Sequence, residues 1–420
     1  MIREKWIHSP RMPIHLSDSC IGEMMHDVIV IGGGPAGAFC AEHLAQEGFS
    51  CILLERSKPH RYKSCGGGIS FEGSRIAPLP SFLIQRKIIR GSIHSPQHHV
   101  EVGTAEEPGY TVYRTDYDQW LRDQAEDRGA QVLYGEDVKK VNLAIPSVRT
   151  TREYTSRVIV GAFGACPCLY DQFGVSISSW VQLVQQEFSL PEDEVTDRIG
   201  DCIELYFNTQ YASYGYSWIF PKRDGVTVGA LFTPHTLKKR QQLTAFIRAH
   251  QEKLEGIVPR KFRRKFTFGG FLPLYPVTPL YGDNFILVGD SAGLCDPVTF
   301  EGISNALKSG KIAAAVIEDH LEKGTPLAHY ESQWKRELYD TDIRYAQKLR
   351  NLLYGHSLSD RLADVAVDLA CRDKEMNTAF QWLLNRKESR KKVYDLIMSK
   401  KWDIIKQLGL SSSKLLFKVI

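Results

Sequence analysis

Three glycines carry the first chemical signal in this chain. Gly32, Gly34 and Gly37 stand in Gly32-Gly33-Gly34-Pro35-Ala36-Gly37, after the apolar run Asp27-Val28-Ile29-Val30-Ile31 and before an alanine-rich segment that reads as a helix over 36–48. A second apolar run, Cys51-Ile52-Leu53-Leu54, ends in Glu55. Each part has a job in holding a dinucleotide. Gly32 permits the tight turn, Gly34 lets backbone N–H groups approach a pyrophosphate, and Gly37 lets helix and strand pack closely. The helix N-terminus turns its positive end to the phosphates. Glu55, about 20 residues beyond the glycines, is placed to accept from ribose hydroxyls, and its charge disfavours a 2′-phosphate.

Other candidate residues lie further along. The loop Arg61-Tyr62-Lys63-Ser64-Cys65-Gly66-Gly67-Gly68 puts three consecutive glycines after a thiol, where a flat ligand can lie against backbone. Val112-Tyr113-Arg114 reads as a strand feeding a capping-box helix from Thr115 to about Arg128, which sets Arg114 at a junction suited to a phosphate. Gly289-Asp290-Ser291-Ala292-Gly293 follows the apolar run Phe285–Val288. It matches the GxSxG of a hydrolase nucleophile elbow, but that turn needs a helix at once, and Pro297 and Gly302 keep this chain irregular until Ile303. Asp290 reads better as a carboxylate at a strand end, with the N-terminus of the helix over 303–321 as a second anion site.

Positioning these residues takes an interrupted α/β domain. With 420 residues, 43% apolar and 24% charged, the chain is ordinary for a globular protein, and a net charge of +4 with pI near 8.4 gives no case for nucleic acid. Nine scattered cysteines, no apolar run near the ~20 residues of a membrane span and no signal-peptide core over 1–25 point to the cytoplasm. Cys166-Pro167-Cys168 has no companion pair at ligand spacing, so no metal site is expected. Residues 25–174 and 277–327 make the discontinuous α/β domain. Residues 175–276 read as an inserted antiparallel sheet, with strands at 202–207, 214–220, 226–232 and 266–274, to which 70–111 contributes. Tyr211, Tyr214, Tyr216, Trp218 and Phe220 read as a line of rings on one face, suited to an apolar cavity. Residues 328–420 read as helical.

Two separated cofactor stretches, a central Arg114 and an inserted sheet resemble the flavoproteins of the para-hydroxybenzoate hydroxylase fold, with a Rossmann-like three-layer FAD domain. Within them the chain resembles the geranylgeranyl reductases at Lys63-Ser64-Cys65-Gly66-Gly67-Gly68, at Tyr214 through Lys222, and from Gly289 through Ile303. The resemblance implies an FAD-dependent oxidoreductase that reduces carbon–carbon double bonds of a polyprenyl lipid. It implies FAD contacts at Gly32, Gly34, Pro35, Ala36, Gly37, Glu55, Arg56, Cys65, Gly66, Gly68, Arg114, Val138, Asp290, Gly293, Pro297, Gly302 and Ile303. Tyr214, Tyr216, Trp218 and Phe220 would line the substrate site, with Cys65, Tyr216 and Trp218 as the catalytic candidates. One departure stands out: the superfamily's Gly-Ala-Asp-Gly reads Gly161-Ala162-Phe163-Gly164 here. The missing aspartate normally supports use of a nicotinamide cofactor, so two donors stay open, NADPH and a reduced ferredoxin or similar protein.

Two other functional classes compete. Flavin monooxygenases and halogenases share the fold, but the halogenases' pair of tryptophans is incomplete, with Tyr216 at the first place. A non-catalytic flavin- or lipid-binding protein is the other reading, motivated by Phe163. The basic C-terminal stretch, from Arg386 to Lys418 and including Lys414, carries Val393, Ile397, Ile404 and Leu408 near helical spacing beside Trp402. It reads either as a helical cap on the second domain or as a face for peripheral contact with a membrane.

Overall fold

The computed structural model describes residues 25–177, 179–250, 254 and 267–409. The expectations at residues 1–24, Phe266, Lys414 and Lys418 fall outside the described residues.

The strand His26–Ile31 forms because its residues Val28, Ile29 and Val30 are β-branched and have no solvent exposure, which needs cover on both faces. It pairs in parallel with Cys51–Glu55 and with Glu153–Gly161. Gln131–Tyr134 extends the sheet on one side and Phe285–Leu287 on the other, also in parallel. The short antiparallel strands Lys140–Asn142 and Ser147–Arg149 complete it. Three helices, Pro35–Gln46, Arg114–Asp127 and Ile303–Lys323, pack together beside this sheet. The chain is thus an α/β FAD-domain fold into which a second sheet is inserted.

That second sheet has seven strands in the spatial order Thr267–Pro273, Trp180–Ser189, Gly225–Phe232, Ser217–Pro221, Cys202–Tyr206, Arg90–His94 and His99–Gly103. It is not purely antiparallel: Cys202–Tyr206 runs parallel to Arg90–His94. A strand supplied from the first half of the chain cannot join by a hairpin, so its direction is free to differ. The strand Trp180–Ser189, absent from the sequence reading, lies second from one edge.

Both faces of the sheet are covered. One packs Ile219, Val228 and Phe232 against the helix Lys239–Ala249. The other packs Leu205, Tyr216 and Trp218 against the C-terminal helices Arg344–Leu353, Ser359–Arg372, Lys374–Asn385 and Arg390–Ser399. The C-terminal apolar stripe is spent here: Val393 and Leu408 are buried, and Ile397 and Ile404 pack on the same core. Trp402 alone of that group stays mostly exposed, at 65%. No helix among the described residues is long and apolar enough to cross a membrane.

Two local expectations are corrected, and the rejection of a hydrolase elbow agrees with the structure. The strand before Arg114 ends at Thr111, and Arg114 is the first residue of the helix, whose cap, Tyr113, makes no side-chain cap bond; the capping box does not form. The ring stripe splits, because three residues separate Tyr211 from Tyr214, which is not a strand period. Tyr211 packs with Phe246 on the far face, at 5.5 Å between ring centres. Ser291 is not a nucleophile: its hydroxyl is fully buried and donates to the carbonyls of Gly161, at 2.5 Å, and Val288, at 2.6 Å.

Candidate flavin and substrate site

A cleft of about 260 Å³ runs along the carboxyl ends of the parallel strands. The turn after the first strand is forced by Gly32, whose φ is +106°. The helix that follows begins with Pro35, and its cap, Gly34, offers no capping side chain. The first-turn N–H groups are therefore left to a ligand rather than to the protein. A Cβ on Gly34 would meet nothing nearer than Arg61 Nη2 at 3.7 Å, so the space before the helix is open. Glu55 Oε2 accepts from Gly33 N–H at 3.0 Å and Oε1 from Ser57 N–H at 2.9 Å, which fixes the carboxylate at the cleft wall. An uncapped helix start, an open glycine cradle and an oriented acid fit an FAD pyrophosphate and ribose.

The cleft is also lined by Pro35, Ala36, Arg56, Val138, Asp290, Gly302 and Ile303. Other expected contacts stand elsewhere. Gly37 lies beneath the cleft, packed on the Gly32 carbonyl, the role expected of it. Gly293 is tucked against the Tyr275 carbonyl, and Pro297 lines neither cavity. Arg114 also lines the cleft, where its Nε and Nη2 grip the Asp118 carboxylate at 2.7 and 2.9 Å. Asp118 is fully buried and a second cation, Arg61, binds it at 3.0 Å and reaches Glu55 at 3.4 Å. Arg61 and Lys63 are the cations that sequence reasoning passed over; they sit in the loop already singled out for its glycines. Lys63 faces Asp290, and burial lowers its pKa against that carboxylate's pull.

The Phe163 ring lines the cleft but packs edge-to-face with Tyr170 and stacks on Phe173, at 5.2 and 5.4 Å between centres. A hydrophobe replaces the aspartate because this wall is built from rings.

A second, apolar cavity of about 150 Å³ lies between the Cys65–Ser70 stretch, the inserted sheet and the C-terminal helices. Gly66 and Gly68 belong here, not to the cleft, and both face the Phe220 ring. Tyr216, Trp218 and Phe220 form its wall; Tyr214 does not, and lines a smaller pocket beside Tyr354. Trp218 lies flat across its partner strand because Gly229 stands opposite: a Cβ there would fall 2.1 Å from the indole. The indole N–H has no hydrogen-bond partner among the described residues, and the Tyr216 hydroxyl donates to the Thr299 carbonyl. Leu383, Leu384, Asn385 and Arg386 close the far side, a contribution from the C-terminus that nothing local in the sequence announces.

The two cavities share Cys65, Leu183, Leu272, Phe300, Gly302 and Ile303 as common walls. A flat ring reaching from the cleft to this junction would expose one face to the apolar cavity.

Lys222 braces the junction from behind. It is 2% exposed and its Nζ donates to the Gly66 carbonyl at 2.6 Å. Burial pulls its pKa from 10.5 to about 8, against the opposing pull of Cys65 and Glu187. The native state therefore releases this proton before the unfolded chain does, so stability rises with pH between about 8 and 10.5. We expect Lys222→Met to flatten the rise in Tm over that window, measured by thermal melts across pH.

These features define the class of a flavoprotein whose cofactor domain carries an inserted sheet. A family model described as an FAD binding domain matches residues 27–81, and one described as tryptophan halogenase matches residues 82–395. Digeranylgeranylglycerophospholipid reductase 2 of Methanothermobacter thermautotrophicus is 28% identical over 84% of this chain and 92% of its own. The chloroplastic geranylgeranyl diphosphate reductase of Oryza sativa is 30% identical over 76% of this chain and 72% of its own. A geranylgeranyl bacteriochlorophyll reductase-like protein of Thermoplasma acidophilum has a solved structure that superposes with a TM-score of 0.74 at 21% identity, over 92% of this chain and 98% of that one. The chain belongs to the flavoprotein family that the tryptophan halogenase model describes and, by its relatives, to the geranylgeranyl reductases.

Proposed function

We propose that this protein reduces carbon–carbon double bonds in a geranylgeranyl or related polyprenyl chain. The observation that carries this is the meeting of the cofactor cleft with an apolar, ring-lined cavity at Cys65, Phe300, Gly302 and Ile303. Bound FAD, once reduced, supplies a hydride. The chain supplies the rest. An isolated alkene offers no polar handle, so the shape of the Trp218–Phe220 wall must hold it, and burial between sheet and C-terminal helices must keep water away. Names of the relatives support the reading: those proteins act on geranylgeranyl groups.

Phe163 supports a protein donor of the ferredoxin class ahead of NADPH, since its ring is packed where an aspartate would stand. The donor that bleaches the flavin spectrum decides this. A lipid tail also has to be collected from a bilayer, and Trp402 with the exposed Lys401 and Lys406 is the group suited to contact with anionic lipid. Sedimentation with anionic vesicles that leaves the protein in the supernatant would remove that contact.

The tryptophan halogenase match favours one second reading, oxygen-dependent halogenation of an aromatic substrate. The two separate cleanly. Reduced protein given bromide, oxygen and an indole should yield no halogenated product, while reduced protein given a geranylgeranyl lipid without oxygen should yield the saturated chain.

A further inference from the structure

Alkene reduction needs a proton as well as a hydride, and the apolar cavity holds one carboxyl group among its described lining residues, Glu301. Its neighbours in sequence, Gly302 and Ile303, form the wall common to the cleft and the cavity. Oε1 is anchored by the Ser304 N–H at 2.8 Å and hydroxyl at 2.9 Å. Oε2 is buried and has no hydrogen-bond partner among the described residues; Arg386 Nη1 approaches only to 3.5 Å. A buried ionised oxygen without a bond is costly, whereas a protonated one is tolerated in an apolar setting.

The surrounding charges say which carboxyl keeps a proton. Arg386 gives its Nε to Glu72 at 2.7 Å and its Nη1 to Asp296 at 3.0 Å. Arg390 gives its Nε to Asp296 at 2.6 Å and its backbone N–H to Asp342, and Lys308 pairs with Glu72. Of the carboxyls paired with these cations, Glu301 stands farthest from its partner, 3.5 Å against 2.6–3.0 Å for the arginine pairs of Glu72 and Asp296. In keeping with this, burial holds the Glu301 carboxyl above the usual range despite Arg386, while the cations hold Glu72 and Asp296 below it. The other groups that face Glu301 are Tyr216, Cys295 and Tyr117, neutral at pH 7 by type and held more firmly so by burial, which raises each pKa.

Of the rival donors, the Tyr216 hydroxyl is committed to the Thr299 carbonyl. Cys65 Sγ accepts from Gly67 N–H at 3.3 Å, a bond that orients the thiol without using its proton. Glu301 also has a route for reloading: Ser304 Oγ lies 2.9 Å from Ser70 Oγ, a second hydroxyl on the cavity wall.

The geometry points to Glu301 as the proton donor of alkene reduction, with Ser304 and Arg386 as its positioning residues. This rests on the function proposed above. As the alkene π bond opens, one carbon takes the hydride from the reduced cofactor and the other takes the Glu301 proton. Glu301 is left as a carboxylate and regains a proton from solvent through the Ser304 and Ser70 hydroxyls.

Glu301→Gln keeps the shape and removes the acid. Two measurements decide the matter. In the absence of substrate, infrared difference spectra of wild type minus Glu301→Gln at pH 6 to 7 should show a protonated carboxylic acid C=O stretch that shifts in D2O. In anaerobic stopped flow with reduced protein and a geranylgeranyl lipid, the variant should retain FAD but react about 10²-fold or more slowly. Absence of the infrared band, or variant turnover within about threefold of wild type, overturns the assignment. Failure of the wild type to saturate any prenyl chain instead overturns the function, while the infrared band still reports on the proton store.

Discussion

Replacing Arg386 by alanine should loosen the whole C-terminal half of the protein. Its guanidinium is 4% exposed and joins three separate elements: Glu72 of an early helix, Asp296 before the second cofactor helix, and Asn305 within it, the last at 2.8 Å. Truncation leaves buried carboxylates short of a cation, for which a loss of about 3–5 kcal/mol is typical. Arg386→Lys keeps the charge but not the planar fork, and should fall between the two. Arg386 also holds a positive φ, 57°, so a glycine variant relieves backbone strain while removing the fork; a loss as large as alanine's shows that the ion pairs carry the effect. The same network sets acid stability. Burial opposes ionisation of Glu72, but the charges and hydrogen bonds of Arg386 and Lys308 prevail and pull it to about 2. Its folded pKa is below its unfolded value near 4.5, so its contribution is complete above that pH and disappears as pH falls toward 2. Melts of wild type and Arg386→Ala should therefore converge in acid; curves that stay parallel down to pH 2 would contradict the account.

Gly37→Ala should abolish the yellow colour of the purified protein. A Cβ at residue 37 would lie 2.0 Å from the Gly32 carbonyl oxygen and 2.9 Å from Ala162 Cβ, both fixed parts of the core. The helix must then lift off the first strand, carrying its N-terminus away from the phosphates. Overpacking of this kind costs about 1–3 kcal/mol, and each 1.4 kcal/mol taken from binding is a tenfold loss of FAD affinity. Gly34→Ala is the informative partner. Its Cβ has open space in the protein alone, so the apoprotein Tm should not move, yet the methyl stands where the pyrophosphate must approach. Tm measured on apoprotein and FAD titration by fluorescence separate the two. Equal Tm loss in both variants would show that the glycines serve the fold and not the cofactor.

The first βαβ unit was legible because its signals are local: a β-branched run, glycines at fixed offsets and an acid at the next strand end. The strand Trp180–Ser189 was not, since Gln182, Gln185, Gln186 and Glu187 break its apolar run. Gln185 is nonetheless fully buried, its amide bonded to the Tyr62 hydroxyl at 2.8 Å, a contact between residues 123 apart. Arg114 lines the cleft, but its pairing with Asp118 was not legible, because that carboxylate sits one helical turn away and reads in sequence as an ordinary surface pair. The aromatic wall was visible as Tyr216, Trp218 and Phe220, but not its closing side. Leu383, Leu384 and Arg386 reach the cavity from some 160 residues downstream, and Glu301 gains its meaning only when Arg386 arrives.

The central claim is that the two cavities join so that a flavin reaches an isolated alkene. It is tested most directly by reducing the FAD-loaded protein with dithionite, removing excess reductant, and adding geranylgeranyl lipid without oxygen. The account predicts return of the oxidised flavin spectrum with a gain of two hydrogens per double bond in the lipid. A flavin that stays reduced while the lipid mass is unchanged would contradict it.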